Sequence, residues 1–143
     1  MNVAAILKQK GRSIVTAAQS TKLLDIAKTL AERRIGAILI LGELDRLAGI
    51  ISERDIIRAL ARDGVDAMSR PASQYMTREV VTCRISDTLE QLAHTMTEGK
   101  FRHLPVMEDG RLSGVISIGD VVKERIAETE METEQLRHYI AAH

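Results

Sequence analysis

The amino-acid sequence predicts a mixed α+β fold with α/β element order, in which two β-α-β-β-α units pack as a pseudo-twofold pair. Two observations support this prediction: the chain repeats one set of residues, and each copy alternates helical with extended apolar patterns. A repeat length of about 65 residues exceeds the 20–50 residues typical of solenoid arrays, which favours two subdomains packed on each other. With 143 residues, 45% of them apolar, the chain suffices for one compact domain or for two half-domains sharing a core.

The repeat runs through both halves of each copy. The segment at residues 49–57, Gly-Ile-Ile-Ser-Glu-Arg-Asp-Ile-Ile, is echoed at residues 114–122 by Gly-Val-Ile-Ser-Ile-Gly-Asp-Val-Val. Earlier in each copy, a second set of matched positions comprises Val15, Thr16, Ser20, Leu23, Ala27, Thr29 and Glu32, followed by Val81, Thr82, Ser86, Leu89, Ala93, Thr95 and Glu98. Function is therefore to be sought where the two copies meet.

The first copy opens with a short extended stretch and continues with four predicted elements. They are an amphipathic helix, two strands around a longer polar loop and a second helix, over residues 21–34, 37–41, 47–52 and 55–63. In the first helix Leu23, Ile26 and Leu30 share one face, so that helix must lie on a partner surface. Gly64 is predicted to end the second helix.

The second copy repeats this order. Its opening strand is predicted at residues 80–83, and the hairpin strands and second helix at residues 103–107, 112–117 and from 120 to about 128. The turn of this hairpin is tighter than that of the first copy.

We divide the chain into a first repeat, a polar connector marked by Pro71, a second repeat and a helical extension. These segments cover residues 10–64, 65–75, 76–127 and 128–143. A short helical extension is expected before the first repeat. Residues 1–11 have neither the long apolar region nor the cleavage site of a signal peptide, so we do not expect them to act as one.

Beyond Glu128 the sequence remains compatible with a helix. Apolar and threonine residues follow a 4-3-4-3-4 spacing that resembles a heptad seam, weakened by its two threonines; the set is Val122, Ile126, Thr129, Thr133, Leu136 and Ile140. Two interpretations are open: the helix lies on its own domain, or it contacts a partner subunit.

The composition argues against two classes of partner. Twenty basic residues balance twenty acidic ones, and aromatic residues make up only 2% of the chain, so neither a positive field nor stacking platforms favour nucleic-acid binding. No stretch approaches the roughly 18–20 apolar residues of a membrane span. We therefore expect a cytoplasmic protein with no nucleic-acid and no membrane partner.

Cys83 is the only cysteine, which excludes an internal disulfide and a thiolate metal cluster. Because it lies in an apolar extended run, we expect a buried, inert thiol rather than a redox sensor. The four histidines lack the spacing to one another and to carboxylates that a metal site requires, so we predict no metal.

A Ser-x-x-Asp motif occurs twice, as Ser52 with Asp55 and as Ser117 with Asp120, each where a strand passes into a helix. One such motif alone is a helix-capping device, worth about 0.5–2 kcal/mol. Its recurrence at the same junction favours a second role in nucleotide binding. A carboxylate can accept from both hydroxyls of a ribose, while a serine hydroxyl and free helix N–H groups can meet a phosphate.

With these motifs the chain resembles a tandem cystathionine β-synthase (CBS) domain pair, also called a Bateman module. The resemblance covers about residues 10–127 and rests on residues 49–57, on Phe-Arg-His-Leu-Pro-Val at residues 101–106, and on residues 114–122. It implies two clefts related by a pseudo-twofold axis that bind adenosine-containing ligands such as AMP, ATP or NAD(H).

By this resemblance Asp55 and Asp120 hold ribose hydroxyls, and Ser52 and Ser117 contact ribose or phosphate. The backbone at the start of one strand in each copy, the threonine that opens each copy and the first residues of each second helix complete the expected contacts. This remaining set is Thr16, Ile35, Gly36, Ala37, Arg54, Thr82, Arg102, His103, Leu104 and Ile118.

The two expected clefts differ in polarity. The second copy has Arg102 and His103 where the first has Gly36 and Ala37, so we expect the second cleft to be filled first. Arg102 is interpreted either as a phosphate ligand or as a solvated surface arginine.

The leading hypothesis is a regulatory sensor of an adenosine ligand that acts as a homodimer and signals in trans to an effector protein. It is not expected to be an enzyme, because no nucleophile lies beside a plausible base. The alternative is a ligand-independent dimerisation or assembly module, in which the Ser-x-x-Asp motifs only cap helices. A third, weaker hypothesis is a small nucleotide-processing enzyme, which would show metal-dependent turnover.

Overall fold

The structure, a computed structural model, describes residues 1–142; His143, the last residue of the predicted C-terminal extension, lies outside them. The helices and strands are α1 (Val3–Lys10), β1 (Thr16–Ala18), α2 (Leu23–Arg33), β2 (Ala37–Leu41), β3 (Leu47–Ser52), α3 (Glu53–Asp63), α4 (Leu89–Gly99), β4 (His103–Glu108), β5 (Arg111–Ser117) and α5 (Ile118–Ala142). Short 3₁₀ turns cover Glu43–Asp45, Gly64–Ser69 and Ala72–Gln74. The mixed α+β prediction is confirmed.

The chain forms two compact units. The first-repeat unit comprises Ser13–Val81 and Asp109–Leu112. The second-repeat unit comprises Met1–Arg12, Thr82–Glu108 and the chain from Ser113 onward. The N-terminal segment therefore belongs to the unit of the second repeat.

The first-repeat unit is built on a three-stranded sheet in the order β1-β2-β3. Strand β1 runs parallel to β2, and β2 runs antiparallel to β3 with Ala37 opposite Ser52. The predicted bounds of β2 and β3 are confirmed. Helix α2 buries its apolar stripe in a core whose largest members are Leu23, Ile26, Leu30, Ile38, Ile40 and Ile51.

The predicted connector, residues 65–75, contributes to this same core. Ala67 and Ala72 are completely buried in it. The backbone N–H of Ala72 donates to the carbonyl of Thr21 at 2.8 Å, and that of Leu23 donates to the carbonyl of Arg70 at 3.0 Å. Gly64, which follows α3, has φ +71°, a left-handed conformation that favours glycine, so the predicted end of this helix is confirmed.

The second-repeat unit contains helices α1, α4 and α5 and the two-stranded sheet β4-β5, except for Arg111 and Leu112 at the start of β5. Helix α1 is integral to its core, because Val3, Ile6 and Leu7 are at most 2% exposed. They pack in one cluster with Leu89, Leu92, Met96, Leu104, Val106 and Ile116. The predicted N-terminal helix is thus confirmed, and it is a core element rather than an appendage.

The start of the chain, at and before α1, makes the same backbone hydrogen bonds to the second repeat that the connector makes to the first. The N–H of Val3 donates to the carbonyl of Asp87 at 2.9 Å, and the N–H of Leu89 donates to the carbonyl of Met1 at 3.0 Å. They match the two bonds of the connector, because Asp87 and Leu89 lie 66 positions after Thr21 and Leu23. The segment that precedes each repeat in sequence therefore completes the core of the other repeat.

The strand predicted at residues 80–83 is wrong. Only Cys83 makes a bridge, parallel to Val106, with its N–H donating to the Pro105 carbonyl and its carbonyl accepting from Met107, both at 2.9 Å. In a parallel ladder the next bond toward the start of this segment would need a donor at residue 105. Pro105 has no N–H, so the ladder stops at Cys83.

Helix α5 runs from the predicted second helix into the predicted helical extension as one helix of 25 residues. Every side chain from Thr129 to Ala142 is exposed. The interpretation that this extension lies on its own domain is therefore wrong. None of the helices within residues 1–142 is long and apolar enough to cross a membrane.

Cys83 is buried, with 4% of its surface exposed, as expected. Burial and, to a smaller extent, the nearby charge of Asp87 raise the pKa of its thiol to about 12. We therefore expect native protein at pH 8 to react with a disulfide reagent such as DTNB many times more slowly than urea-unfolded protein. A native reaction as fast as the unfolded one would contradict the buried position.

A second prediction concerns Gly49. A Cβ at this position would lie 2.8 Å from the Thr77 carbonyl oxygen and 2.7 Å from the Met76 sulfur, whereas a Cβ at Gly114 would meet only the flexible Leu7 side chain. Gly49→Ala is expected to lower the free energy of unfolding by roughly 1–3 kcal/mol, and Gly114→Ala by less, because a side chain yields more easily than backbone. Urea unfolding of both variants tests this ranking.

Candidate functional site

In the first-repeat unit the junction between β3 and α3 is closed by a reciprocal box. The backbone N–H of Ser52 donates to Asp55 Oδ2 at 2.8 Å, and the Ser52 hydroxyl donates to the same oxygen at 3.1 Å. In return, the Asp55 N–H donates to Ser52 Oγ at 3.4 Å. The extended backbone of Ser52 ends the strand, and its side chain starts the helix.

The second-repeat unit has the same arrangement between β5 and α5. The N–H and the hydroxyl of Ser117 donate to Asp120 Oδ2 at 2.8 Å and 3.0 Å, and the Asp120 N–H donates to Ser117 Oγ at 3.3 Å. The two motifs thus agree in every bond to within 0.1 Å. The repeated Ser-x-x-Asp motif therefore forms the same hydrogen-bond geometry in both units.

Each box is tied to the start of the neighbouring strand. The N–H of Glu53 donates to the Gly36 carbonyl at 3.0 Å, and the N–H of Ile118 donates to the Arg102 carbonyl at 2.8 Å. The backbone expected to meet adenine therefore lies beside the carboxylate expected to meet ribose, in each unit separately. Each of the two predicted residue sets belongs to a single unit.

The expectation of several free N–H groups at each helix start needs correction. The N–H of Glu53 is taken by Gly36 and that of Asp55 by Ser52, and Ile118 and Asp120 are engaged in the same way. In the first turn of α3, and likewise of α5, one backbone N–H has no acceptor within residues 1–142. These two amides belong to Arg54 and Gly119, which occupy matching positions in the two motifs.

Lys10, at the end of α1, contacts the second Ser-Asp box and was not predicted from the sequence. Its ammonium group donates to Asp120 Oδ2 at 2.5 Å and to the Val115 carbonyl at 2.8 Å. Since 110 positions separate Lys10 from Asp120, no local motif signals the contact. The contact exists because the apolar residues of α1 are buried in the second-repeat core.

This contact controls the ionisation of Asp120. Partial burial raises the pKa of the carboxyl, but the hydrogen bond from Lys10, the bonds from Ser117 and the positive charge of Lys10 together outweigh it. The pKa of Asp120 therefore lies below its ordinary value of 3.8, and the group is a carboxylate at neutral pH. Within residues 1–142, every donor to this carboxylate lies on Oδ2, and Oδ1 has none.

Asp55, the corresponding carboxylate of the first repeat, interacts more weakly with its nearest cation. The closest one is Arg58, whose guanidinium lies 4.0 Å from Asp55 Oδ1 and whose side chain is 75% exposed. The Asp55 side chain itself is 12% exposed, against 22% for Asp120. The two carboxylates thus share a backbone frame but not an electrostatic environment.

The other predicted residues fall into three groups by exposure. Leu104 is completely buried in the core, so only its backbone can belong to a site. The half-buried group is Ile35, Gly36, Ala37 and His103. The exposed group is Thr16, Arg54, Thr82, Arg102 and Ile118. Thr16 belongs to strand β1, whereas Thr82 lies outside any strand because the second copy forms only the Cys83 bridge.

Within residues 1–142 no three His, Cys, Asp or Glu side chains are grouped closely enough to hold a metal ion. A cavity of about 620 Å³ lies away from both motifs. Because residues of α5 alone line it, this cavity is an open groove along one helix rather than an enclosed site.

Comparison with known proteins finds the same duplication. The CBS domain family model matches residues 10–62 and again residues 72–127. The chain belongs to the CBS domain family.

Similar proteins support this assignment over most of the chain. A crystal structure of the CBS-domain containing protein ATU1752 from Agrobacterium tumefaciens has 42% sequence identity and a TM-score of 0.85, covering 87% of this chain and 99% of that one. The mitochondrial CBS domain-containing protein CBSX3 of Arabidopsis thaliana is 30% identical over 96% of this chain and 71% of its own length. Some curated relatives are much longer: the chain spans 23% of CBSCBSPB5 from the same plant.

Two structural neighbours were solved with adenosine compounds. The CBS domain pair of protein MJ0100 is in complex with 5′-methylthioadenosine and S-adenosyl-L-methionine; it has 26% identity and a TM-score of 0.79, covering 90% of this chain and 98% of that one. CBSX2 is in complex with AMP, at 25% identity and a TM-score of 0.73 over the same shares of the two chains.

The Lys10 contact makes a prediction about pH. Because the pKa of Asp120 is lowered in the folded protein, its contribution to stability is present above the unfolded pKa of about 3.9 and is lost as the pH falls through the folded value. Lys10→Met is expected to lower the free energy of unfolding at pH 7 by about 1 kcal/mol, since the pair is partly exposed.

The matched control is Lys8→Met, which removes an exposed lysine from the same helix. Denaturant unfolding from pH 7 down to pH 3 should show the Lys10→Met deficit shrinking with acidity and no deficit for Lys8→Met. A deficit that stays constant across this range would mean that Lys10 acts through packing alone.

Proposed function

We propose that this chain is a regulatory module that binds an adenosine ligand of the AMP, ATP or NAD type. It acts as a homodimer and signals to a separate effector protein. The observation that carries the proposal is the pair of geometrically matched Ser-Asp boxes, each beside the start of a strand, in a fold whose neighbours were solved with AMP and with S-adenosyl-L-methionine.

The chemistry of the box suits a ribose. Asp120 has a lowered pKa and one carboxylate oxygen with no donor within residues 1–142, so it can accept charge-assisted bonds from ribose hydroxyls without losing its cap. Asp55 has the same frame in the first repeat. Adenine recognition by the backbone at Gly36 or His103 needs no aromatic residue, which is compatible with a chain that contains 2% aromatics.

The second-repeat site has the stronger case for a phosphorylated ligand. Lys10 lies on its carboxylate, and the exposed, cationic Arg102 stands at the strand start where the first repeat has Gly36. Donors of this kind at a helix N-terminus stabilise a phosphate. We therefore propose that the second-repeat site fills first.

A second candidate function is a ligand-independent assembly module, and one observation favours it. Each Ser-Asp pair already forms a complete capping box. A capping box needs no ligand to be stable, so the motifs alone do not separate the two functions. Ligand binding does separate them.

We also propose that the chain is not catalytic and works in the cytoplasm. The hydroxyls of Ser52 and Ser117 each donate to an aspartate carboxylate that also caps its helix, so the base beside each serine already has a structural role. The single, buried thiol suits a reducing compartment. The relative CBSX3 is named as mitochondrial, so fractionation of the native host is the direct test of location.

The first experiment is native mass spectrometry of the purified chain, with thermal shift against AMP, ADP, ATP, NAD, NADH and S-adenosylmethionine. A dimer that carries, or is stabilised by, one of these compounds supports the sensor. A dimer that none of the six stabilises favours the assembly module. Release of product from a nucleotide in the presence of Mg²⁺ would instead indicate an enzyme.

The role of Asp120 has its own test. Asp120→Ala is expected to weaken binding of the compound found above by about ten- to a hundredfold, because charge-assisted bonds to ribose are lost. Asp120→Asn keeps an acceptor for the cap and removes the charge, so it should fold like the parent and still bind weakly. Glu98→Ala, which removes an exposed carboxylate from α4, is the matched control. Unchanged affinity of both Asp120 variants by calorimetry would remove this residue from the site.

A further inference from the structure

Helix α5 carries a continuous exposed stripe along one side. All six seam residues are exposed, and the four aliphatic ones expose between 49% and 65% of their surface. We call this stripe the α5 seam: Val122, Ile126, Thr129, Thr133, Leu136 and Ile140. The opposite side of the same helix faces the second-repeat core through Val121 and Glu124, which are buried. The seam therefore points away from the unit to which its helix belongs.

The two threonines do not interrupt the seam. The hydroxyl of Thr129 donates to the carbonyl of Arg125 at 2.9 Å, and the hydroxyl of Thr133 donates to the carbonyl of Thr129 at 2.9 Å. Each hydroxyl is therefore satisfied within its own helix. The methyl groups can contribute to a packed interface without burying an unpaired polar atom.

The charged residues beside the seam favour one partner helix and one relative orientation of the two helices. In a heptad the positions flanking the seam are e and g, and in a parallel pair each g residue faces the e residue five positions later on the other helix. Here the two such pairs are Arg125 with Glu130 and Glu132 with Arg137. Both are pairs of opposite charge, and two-fold symmetry doubles them.

The antiparallel alternative is disfavoured by the same residues. With the seam fully overlapped in opposite directions, Glu130 would face Glu130 of the other helix, Glu132 would face Glu132, and Lys123 would face Arg137. Like charges opposite each other are destabilising. The flanking charges therefore complement a second copy of this helix only when the two run in the same direction.

We infer that the α5 seam is a homodimer interface, in which α5 of two copies of this chain forms a short parallel two-stranded coiled coil. The inference rests on the homodimer of the proposed function but not on its ligand. Four of the six seam residues lie beyond the second match of the CBS family model, which ends at residue 127.

The test uses single cysteines on α5 in the full chain. The native Cys83 is buried, with its pKa raised to about 12, so it does not compete for oxidation. Thr129→Cys lies on the seam, and Met131→Cys, two residues away on an exposed face outside the seam, is the matched control. Mild oxidation should crosslink most of the Thr129→Cys protein as a dimer and at least several-fold less of the Met131→Cys protein. Equal crosslinking of the two, or none of the first, overturns the inference.

Direction is tested by mixing two variants at the ends of the seam, Val122→Cys and Ile140→Cys, distinguished by a mass tag. Parallel helices place identical positions together, so only crosslinks between identical cysteines are expected. Crosslinks between position 122 of one copy and position 140 of the other would show an antiparallel pair and overturn the direction.

The charges are tested by reversal. Glu132→Arg places like charges opposite Arg137 and is expected to weaken dimerisation by about fivefold in analytical ultracentrifugation. Glu132→Arg with Arg137→Glu restores opposite charges and should restore the affinity. Glu134→Arg makes the same charge change outside the e and g positions and should leave the affinity unchanged. Weakening by Glu134→Arg equal to that by Glu132→Arg overturns the pairing.

These outcomes are separable from those of the proposed function. A seam that crosslinks in a protein that no adenosine compound stabilises would retain the interface and reject the sensor. A protein that binds a nucleotide but shows no crosslink at position 129 would retain the sensor and reject the interface.

Discussion

Both units depend on one reciprocal interaction, the box between a serine that ends a strand and an aspartate three residues later. In each box the carboxylate accepts from the serine backbone and hydroxyl, and the serine oxygen accepts from the aspartate N–H. These bonds fix the angle at which α3 and α5 leave their sheets. The first helical N–H is then free to bond to the start of the neighbouring strand, at Gly36 or Arg102. Fold and candidate site therefore share the same bonds.

The second-repeat box is also connected to the beginning of the chain. Helix α1 is held by the burial of Val3, Ile6 and Leu7, and only this anchoring brings Lys10 to Asp120. The hydrophobic core thus positions the cation that lies beside a partly exposed carboxylate. The first repeat has no such anchored cation, since Arg58 is mostly exposed and lies 4.0 Å from Asp55. The two candidate sites therefore have the same backbone geometry but different electrostatic environments.

Most of the fold was predictable because local patterns determine it. The strands at residues 37–41 and 47–52 were predicted with the observed bounds, since apolar runs bounded by polar turns leave few alternatives. The failures came from contacts distant in sequence. The missing strand at residues 80–83 depends on a proline in its partner, and the role of Lys10 depends on a helix docked 110 residues away from Asp120. The serine and aspartate of each box were predictable, whereas the cation beside Asp120 was not.

Helix α5 starts at one of the two boxes and continues, without interruption, for 25 residues. At a rise of 1.5 Å per residue it is a rod of about 37 Å, anchored at one end and exposed at the other. A tilt of its first turn by about 5° would move its last turn by about 3 Å, by the geometry of a rigid rod of this length. The helix is thus a rigid lever held at its first turn, where the Asp120 carboxylate forms the cap. Small changes in the direction of its first turn are therefore amplified at the exposed end of the helix.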